Sequence, residues 1–213
     1  FALPKIAIPA ASAGMVLRIT SRDLPRASLI SKEKTHWDDL SYRNDWGQKY
    51  VELSKKEALA LLPSNWAVGS RYEIPQILAS RIARVWLVDN VHGYSRGFEA
   101  EEDLKKAKMS AQVLEVKDGL ATVLLQGETL ASHRRDGPTG YDAKLRGRIV
   151  YALEEKKIVS FELVAVGSRW GYLHHSNRGP GGGRPPDEGP APMGVVCIRV
   201  DKSPFQGPPG SSR

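Results

Sequence analysis

The sequence has 213 residues, of which 41% are hydrophobic and 26% are charged, and its length suits either one medium domain with tails or two very small domains. These proportions are typical of a globular chain and exclude a wholly disordered or fibrous protein. No apolar run approaches the roughly 18 residues that cross a membrane, because Ser160 and Glu162 interrupt the most apolar stretch, residues 158–166. We therefore expect no membrane span.

The 31 lysines and arginines exceed the 24 aspartates and glutamates, which gives a formal net charge of +7. An excess of this sign is compatible with an anionic partner such as nucleic acid. The basic residues, however, are scattered as pairs such as Lys55-Lys56, and most lie beside acids. Because no nucleic-acid-binding motif accompanies them, the charge indicates a mixed solvated surface, and we do not expect nucleic acid as the partner.

Cys197 is the only cysteine, which excludes an internal disulfide. Its place in the apolar run 194–200 predicts a strand with a buried, inert thiol. The sequence begins with Phe1 rather than Met, as a chain does after removal of an export signal. On this basis we expect an extracytoplasmic protein, either periplasmic or secreted.

Residues 1–34 contain several prolines and predict an extended arm with one short strand at 15–20. A second strand is expected at 49–53, followed by a short helix that runs to residue 62. The helix begins with a capping box, because the Ser54 side chain can accept from the Glu57 amide while the Glu57 carboxylate accepts from the Ser54 amide.

The main helix is predicted at 74–89, where apolar residues recur at spacings of three and four. Pro75 suits its first turn, and Asn90 and Gly93 suit its end. The expected apolar face consists of Ile74, Ile77, Leu78, Ile82, Val85 and Trp86. The acids within residues 99–103 then indicate a short helical turn through residue 106.

After residue 109 the hydrophobic period changes from 3.6 to two, which predicts antiparallel strands. Residues 109–117 and 120–126 flank Asp118-Gly119, a pair that favours a tight hairpin turn. These two strands and their turn are expected to form the first hairpin of a meander.

A second strand pair is predicted at 143–153 and 158–166. In the first of these strands the outward, wet face carries Lys144, Arg146 and Arg148. Gly147, on the opposite face, indicates a bulge or the close approach of a neighbouring strand.

Residues 176–192 are rich in Gly and Pro and predict a linker, followed by an additional strand at 193–202 and a tail at 203–213. Residues 35–175 are predicted as an α+β domain, in which one main amphipathic helix packs across an antiparallel β-meander or curved sheet. The strands of the arm and of 193–202 extend this sheet. The order of elements over about residues 49–167 resembles helix-on-sheet domains of exported bacterial proteins, including periplasmic carriers. This resemblance rests on architecture and carries over no functional residue.

The candidate catalytic residues are loop histidines and carboxylates, which a hydrolase can use as base and acid: His36, Asp38, Asp39, His92 and His133. The spacing of these residues matches no catalytic motif, and no nucleophile elbow of the G-x-S-x-G type occurs in the sequence. The candidate metal ligands are His174 and His175, although adjacent residues of an extended segment point in opposite directions. We therefore expect no cofactor and lean towards a protein that is not an enzyme.

Loop aromatics provide a flat surface for a partner, because tryptophan is enriched at interface hot spots. The candidate binding residues are Trp37, Trp46, Trp66, Trp170 and Tyr172; the alternative is that they pack over the ends of the sheet. We expect a non-catalytic exported binding or structural subunit that docks through its arm and tail onto a protein partner or other copies of the chain. The alternatives are a periplasmic carrier or sensor of a small apolar ligand, and a hydrolase or metal-dependent enzyme.

Overall fold

The computed structural model describes residues 13–24, 46–91, 97–98, 100–133, 139–171 and 190–201. Within these residues eight strands form one antiparallel sheet: β1 (Ala13–Asp23), β2 (Trp46–Ser54), β3 (Arg71–Glu73), β4 (Leu104–Lys117), β5 (Leu120–His133), β6 (Thr139–Ala152), β7 (Lys157–Trp170) and β8 (Ala191–Val200). Their order across the sheet is β2-β1-β8-β7-β6-β5-β4-β3, so β2 and β3 are its edges. The predicted antiparallel sheet is confirmed, and the fold fits a mainly-β or an α+β class.

The two predicted strand pairs are present, and both are longer than the sequence pattern indicated. Asp118 and Gly119 have φ angles of 51° and 73°, the left-handed geometry that a two-residue hairpin turn requires. The predicted short helical turn is present but ends before the predicted residue 106. A 3-10 turn occupies only Glu101–Asp103, because the chain from Leu104 onwards pairs with β5 and completes its backbone hydrogen bonds there.

The first helix, α1 (Lys55–Leu59), begins with the predicted capping box. The Glu57 amide donates to Ser54 Oγ over 3.3 Å, and the Ser54 amide donates to Glu57 Oε2 over 2.8 Å. The helix ends at Leu59, before the predicted residue 62, and the chain continues through turns towards Pro63.

The predicted main helix is shorter than expected and has two parts. These are α2 (Gln76–Arg81) and a π-helical turn (Ile82–Trp86). The buried residues follow a spacing of four: Leu78, Ala79, Ile82, Ala83, Trp86 and Leu87. Ile77 and Val85, which the sequence placed on the apolar face, lie outside this stripe and are exposed, Ile77 by 84%.

The helical segment packs against one side of the sheet, which we call the inner face. Side chains from the helical segment and from the strands form one buried cluster. Trp86 is fully buried in this cluster and meets Phe161 of β7 edge to face, with ring centroids 6.3 Å apart. Gly147 confirms the predicted close approach, because a Cβ atom there would lie 2.5 Å from the carbonyl oxygen of Glu162.

Strands from the two ends of the sequence lie next to each other inside the sheet. β1 pairs with β8 and β2, which confirms that the arm and the later strand extend the sheet. β8 begins at Ala191, so two residues of the predicted linker belong to a strand. No helix within the described ranges is long and apolar enough to cross a membrane.

Candidate functional site

Most of the histidines and carboxylates that the sequence nominated lie outside the described residues: His36, Asp38, Asp39, His92, His174 and His175. His133 is the last residue of β5, and its ring meets Phe98 at an angle of 64° with centroids 5.8 Å apart. Its Nδ1 atom is buried and has no hydrogen-bond partner within the described ranges. His133 is therefore packed against an aromatic ring.

The described tryptophans lie at different places on the sheet, while Trp37 and Tyr172 are outside the described residues. Trp66 stacks on Tyr151 with centroids 4.9 Å apart and planes 5° apart. Trp170 ends β7 and lies against Gly140, where a Cβ atom would be 2.2 Å from the indole ring.

These two tryptophans do not form one aromatic patch. Tyr151 pairs with Ile158 near the start of β7, whereas Gly140 pairs with Trp170 at its end. The two contacts thus lie at opposite ends of the β6-β7 pair. Trp46 is the first residue of β2 and pairs with Arg22 of β1.

The most distinctive surface is the side of the sheet opposite the helical segment, which we call the outer face. Val164 and Val166 of β7 and Val196 of β8 are exposed there by 42%, 49% and 40%. Val164 and Val196 are direct cross-strand partners, and Val166 is the next outward residue of β7. We call these three residues the valine cluster.

Further apolar side chains border the valine cluster on β8 and β1. Ile198 is the next outward residue of β8 after Val196 and is half-buried. Leu24 lies against Gly194, where a Cβ atom would be 3.5 Å from the leucine Cδ2 atom. The Leu24 amide donates to the Pro192 carbonyl over 3.0 Å, so the β1-β8 ladder continues to this point.

A line of cations follows β6 on one side of the valine cluster. Lys144 pairs with Val166, Arg146 with Val164, and Arg148 with Glu162. All three cationic residues are exposed. We call Lys144, Arg146 and Arg148 the β6 basic line.

A second line of cations follows β1 on the other side of the valine cluster. Arg22 pairs with Gly194, and Arg18 pairs with Ile198. We call Arg18 and Arg22 the β1 basic line. Within the described part of the chain, the residues of the β1 and β6 basic lines form no ion pair. The outer face thus presents aliphatic side chains between two lines of cations.

The inner face carries a buried ionic group near the end of the helical segment. Arg169 is 2% exposed, and its Nε atom lies 3.7 Å from Asp23 Oδ1 and 3.9 Å from Asp89 Oδ2. The nearby Tyr141 hydroxyl donates to the Met193 carbonyl over 2.9 Å. Burial, with Asp89 adding to it, raises the pKa of Tyr141 well above its usual range. This group joins the segment after the π-helical turn to β1, β6 and β7, which is a structural role.

Lys49 and Cys197 flank Ile19 on the inner face, one on each neighbouring strand. The Lys49 ammonium donates to the Val85 carbonyl. Burial lowers the pKa of Lys49 to about 8, although the electrostatic interaction with Cys197 raises it by a smaller amount. Cys197 is fully buried, as predicted, and burial raises the pKa of its thiol to about 12. The low reactivity of this thiol stays a prediction.

In the part of the chain that the structure describes, no three His, Cys, Asp or Glu residues form a group that could hold a metal ion. Comparison of the chain with family models, with curated proteins and with solved structures finds no match.

The alternating pattern of residues 143–153 predicted that Lys144, Arg146 and Arg148 lie on a wet face. The valine cluster was not predicted. The signal was the continuous apolar runs 163–166 and 195–198, because a strand with one wet face alternates whereas these runs do not. The adjacency of β1 and β8, which brings Arg18 and Arg22 to the surface, has no local signal.

Proposed function

We propose that this protein is a non-catalytic binding subunit, and that the outer face of its sheet takes a protein partner. The observation that carries the proposal is the exposed valine cluster between two basic lines. Valine is favoured in strands whichever way it faces, so exposed valines alone would not identify an interface. Their contiguity on interior strands, with a polar border, is typical of a surface that another protein covers.

The inner face supports this proposal over a carrier function. A carrier would hold its apolar ligand between the sheet and the helical segment, but the protein's own side chains occupy that space. Trp86, Phe161 and Leu163 are all buried there in one cluster. In the arrangement we propose, the sheet curves around the amphipathic helical segment and leaves its outer face for the partner.

The proposed function includes a location for the protein and a way in which it docks. We propose an extracytoplasmic protein whose arm and tail add contacts to those of the outer face. Extended, Pro-rich segments can cover a large surface at a reduced entropic cost. Residues 1–12 and 25–34 of the arm and the whole tail, residues 203–213, lie outside the described residues.

The experiment compares three full-length tagged chains in an extract of the source cells, with cross-linking and quantitative mass spectrometry. They are the unaltered protein, the double variant Val164→Lys/Val196→Lys and the control Ile77→Lys, which alters an exposed aliphatic residue on the other side of the molecule. Circular dichroism checks that all three are folded.

We expect one protein to be recovered in near-stoichiometric amount with the unaltered chain and the control, and to be lost with the double variant. Equal recovery with all three chains contradicts the proposal, because the partner would then bind elsewhere. Recovery of no stoichiometric partner contradicts it as well.

A further inference from the structure

The geometry of the outer face points to a particular kind of partner element, an inference that rests on the proposed function. We infer that the partner presents an amphipathic helix whose apolar stripe is bordered on both sides by aspartates or glutamates. This helix lies along β7 and β8, with its stripe on the valine cluster and its acids against the two basic lines.

The width of the surface fits a helix. The β6 and β1 basic lines are three strand positions apart, because β7 and β8 lie between them. At about 4.8 Å per position, the two lines are separated by about 14 Å. A helix with its side chains is about 10–12 Å in diameter. It can therefore rest on Val164, Val166 and Val196 while its two flanks face cations.

The spacing along the strands also fits a helix. Lys144, Arg146 and Arg148 are alternate residues of one strand, so neighbours are about 6.6–6.8 Å apart. Residues i and i+4 of a helix are separated by about 6 Å along the axis and lie on one side. Acidic residues repeated at this interval can each face one cation of the β6 basic line.

One end of the surface departs from this pattern and adds a constraint. Glu162 lies between Arg148 and Ile198 in the row next to the valine cluster. An acid on the partner at this point would meet a like charge. We therefore expect a neutral or basic residue on the partner helix where it passes Glu162.

The charge of the outer face also argues against two alternative partners, a second copy of the chain and a nucleic acid. If two copies of the chain packed outer face to outer face around a two-fold axis, basic residues would face basic residues across the interface. Such like-charge contacts are costly and disfavour a second copy. A nucleic acid would satisfy the cations but would place its phosphates and sugars over Val164 and Val196, which offer them no polar contact. An acid-flanked apolar helix satisfies both parts of the surface.

The test uses three synthetic helical peptides of about 16 residues and the full-length protein, with binding followed by fluorescence anisotropy. The first peptide has a leucine stripe flanked by glutamates on both sides, the second replaces these glutamates with glutamine, and the third replaces them with lysine. We expect the first to bind, the second to bind about tenfold more weakly, and the third to show no binding, because only the first supplies charges opposite to the basic lines. High salt should weaken binding of the first peptide towards that of the second.

Protein variants separate the two parts of the surface. The double variant Arg146→Gln/Arg22→Gln should weaken binding of the glutamate peptide by about five- to tenfold and leave the glutamine peptide unaffected. Val164→Lys should weaken the binding of both the glutamate and the glutamine peptide. The control Lys117→Gln, at an exposed residue beside the β4-β5 turn, should change neither.

Several results would overturn the inference. These are equal binding of the glutamate and glutamine peptides, failure of the glutamate peptide to bind, and binding to phosphatidylserine vesicles that Val164→Lys abolishes. Sedimentation that shows a dimer dissociated by Val164→Lys would place a second copy on the face instead.

The same variants distinguish this inference from the proposed function. If the partner captured from the extract is lost with Val164→Lys/Val196→Lys but retained with Arg146→Gln/Arg22→Gln, the acid-flanked helix is wrong and the binding function stands. If both variants retain the partner, the inference of an acid-flanked helix and the proposed function are both wrong.

Discussion

Lys49 is a half-buried cation on the inner face, and replacing it with methionine is expected to stabilise the protein at neutral pH. Its ammonium donates to the Val85 carbonyl, and burial lowers its pKa from 10.5 to about 8. Each unit of pKa shift corresponds to about 1.4 kcal/mol, so the shift implies a cost of at most about 3–4 kcal/mol for the charged form in the folded state. Methionine keeps the apolar stem and removes the charge.

The expected gain is smaller than this ceiling. Lys49 keeps some contact with solvent, which reduces the cost of burying its charge. The substitution also removes the hydrogen bond to the Val85 carbonyl, worth about 1 kcal/mol. We therefore expect Lys49→Met to raise the free energy of unfolding by about 1–2 kcal/mol at pH 7.

The pH dependence gives the sharper test. Between about pH 8 and 10.5 the unfolded state binds more protons at Lys49 than the folded state, so this residue makes stability rise with pH over that interval. Below pH 8 the lysine is charged in both states and its full cost is present. The advantage of Lys49→Met should thus be greatest at pH 7 and should disappear by about pH 10.5.

Urea unfolding followed by tryptophan fluorescence at pH 7, 9 and 10.5 measures this difference. Lys117→Met is the matched control, because Lys117 is exposed and should give no pH-dependent gain. An advantage of Lys49→Met that is constant with pH would contradict the lowered pKa. A variant less stable than the unaltered protein at pH 7 would show that the hydrogen bond outweighs the cost of burial.

Two further predictions concern other buried groups of the inner face. Arg169→Leu should lower the free energy of unfolding by about 3 kcal/mol, because Asp23 and Asp89 lose a buried cation. Adding Asp89→Asn should recover part of that loss, and strictly additive losses in urea unfolding would contradict the ionic contact. Cys197 should react with a thiol reagent at pH 8 only as fast as the protein unfolds, since burial raises the pKa of its thiol to about 12. Rapid stoichiometric labelling of the native protein would show that the thiol is accessible.

Local signals in the sequence predicted the elements that depend on neighbouring residues. The turn at Asp118-Gly119 requires positive φ angles at two positions, and the sequence supplies residues that adopt them. The capping box needs only Ser54 and Glu57, three residues apart. Both predictions were correct because each feature depends on interactions between residues that are close in sequence.

The errors arose where tertiary contacts decide the outcome. Ile77 and Val85 have the spacing of an apolar helix face, but the segment buries pairs of residues four apart and includes a π-helical turn. A spacing of three and four residues does not reveal a π-helical turn, which accommodates an extra residue and thereby changes the direction of residues within and after it, such as Val85. Leu104 is in a strand rather than a helical turn because β5 extends far enough to pair with it.

The proposed binding surface depends on strand order, which follows from contacts between the two ends of the sequence. The β6 and β7 contributions come from one hairpin, and their register is set locally by its four-residue turn. Val196 joins Val164 only because β8 pairs with β7, and Arg18 and Arg22 border them only because β1 pairs with β8. The inner face requires the same strand order, since it brings Ile19 and Cys197 into one core with Leu163. A single set of strand pairings therefore produces both the packed inner face and the outer surface, so the valines and the two basic lines are held in fixed register by the same contacts that stabilise the fold.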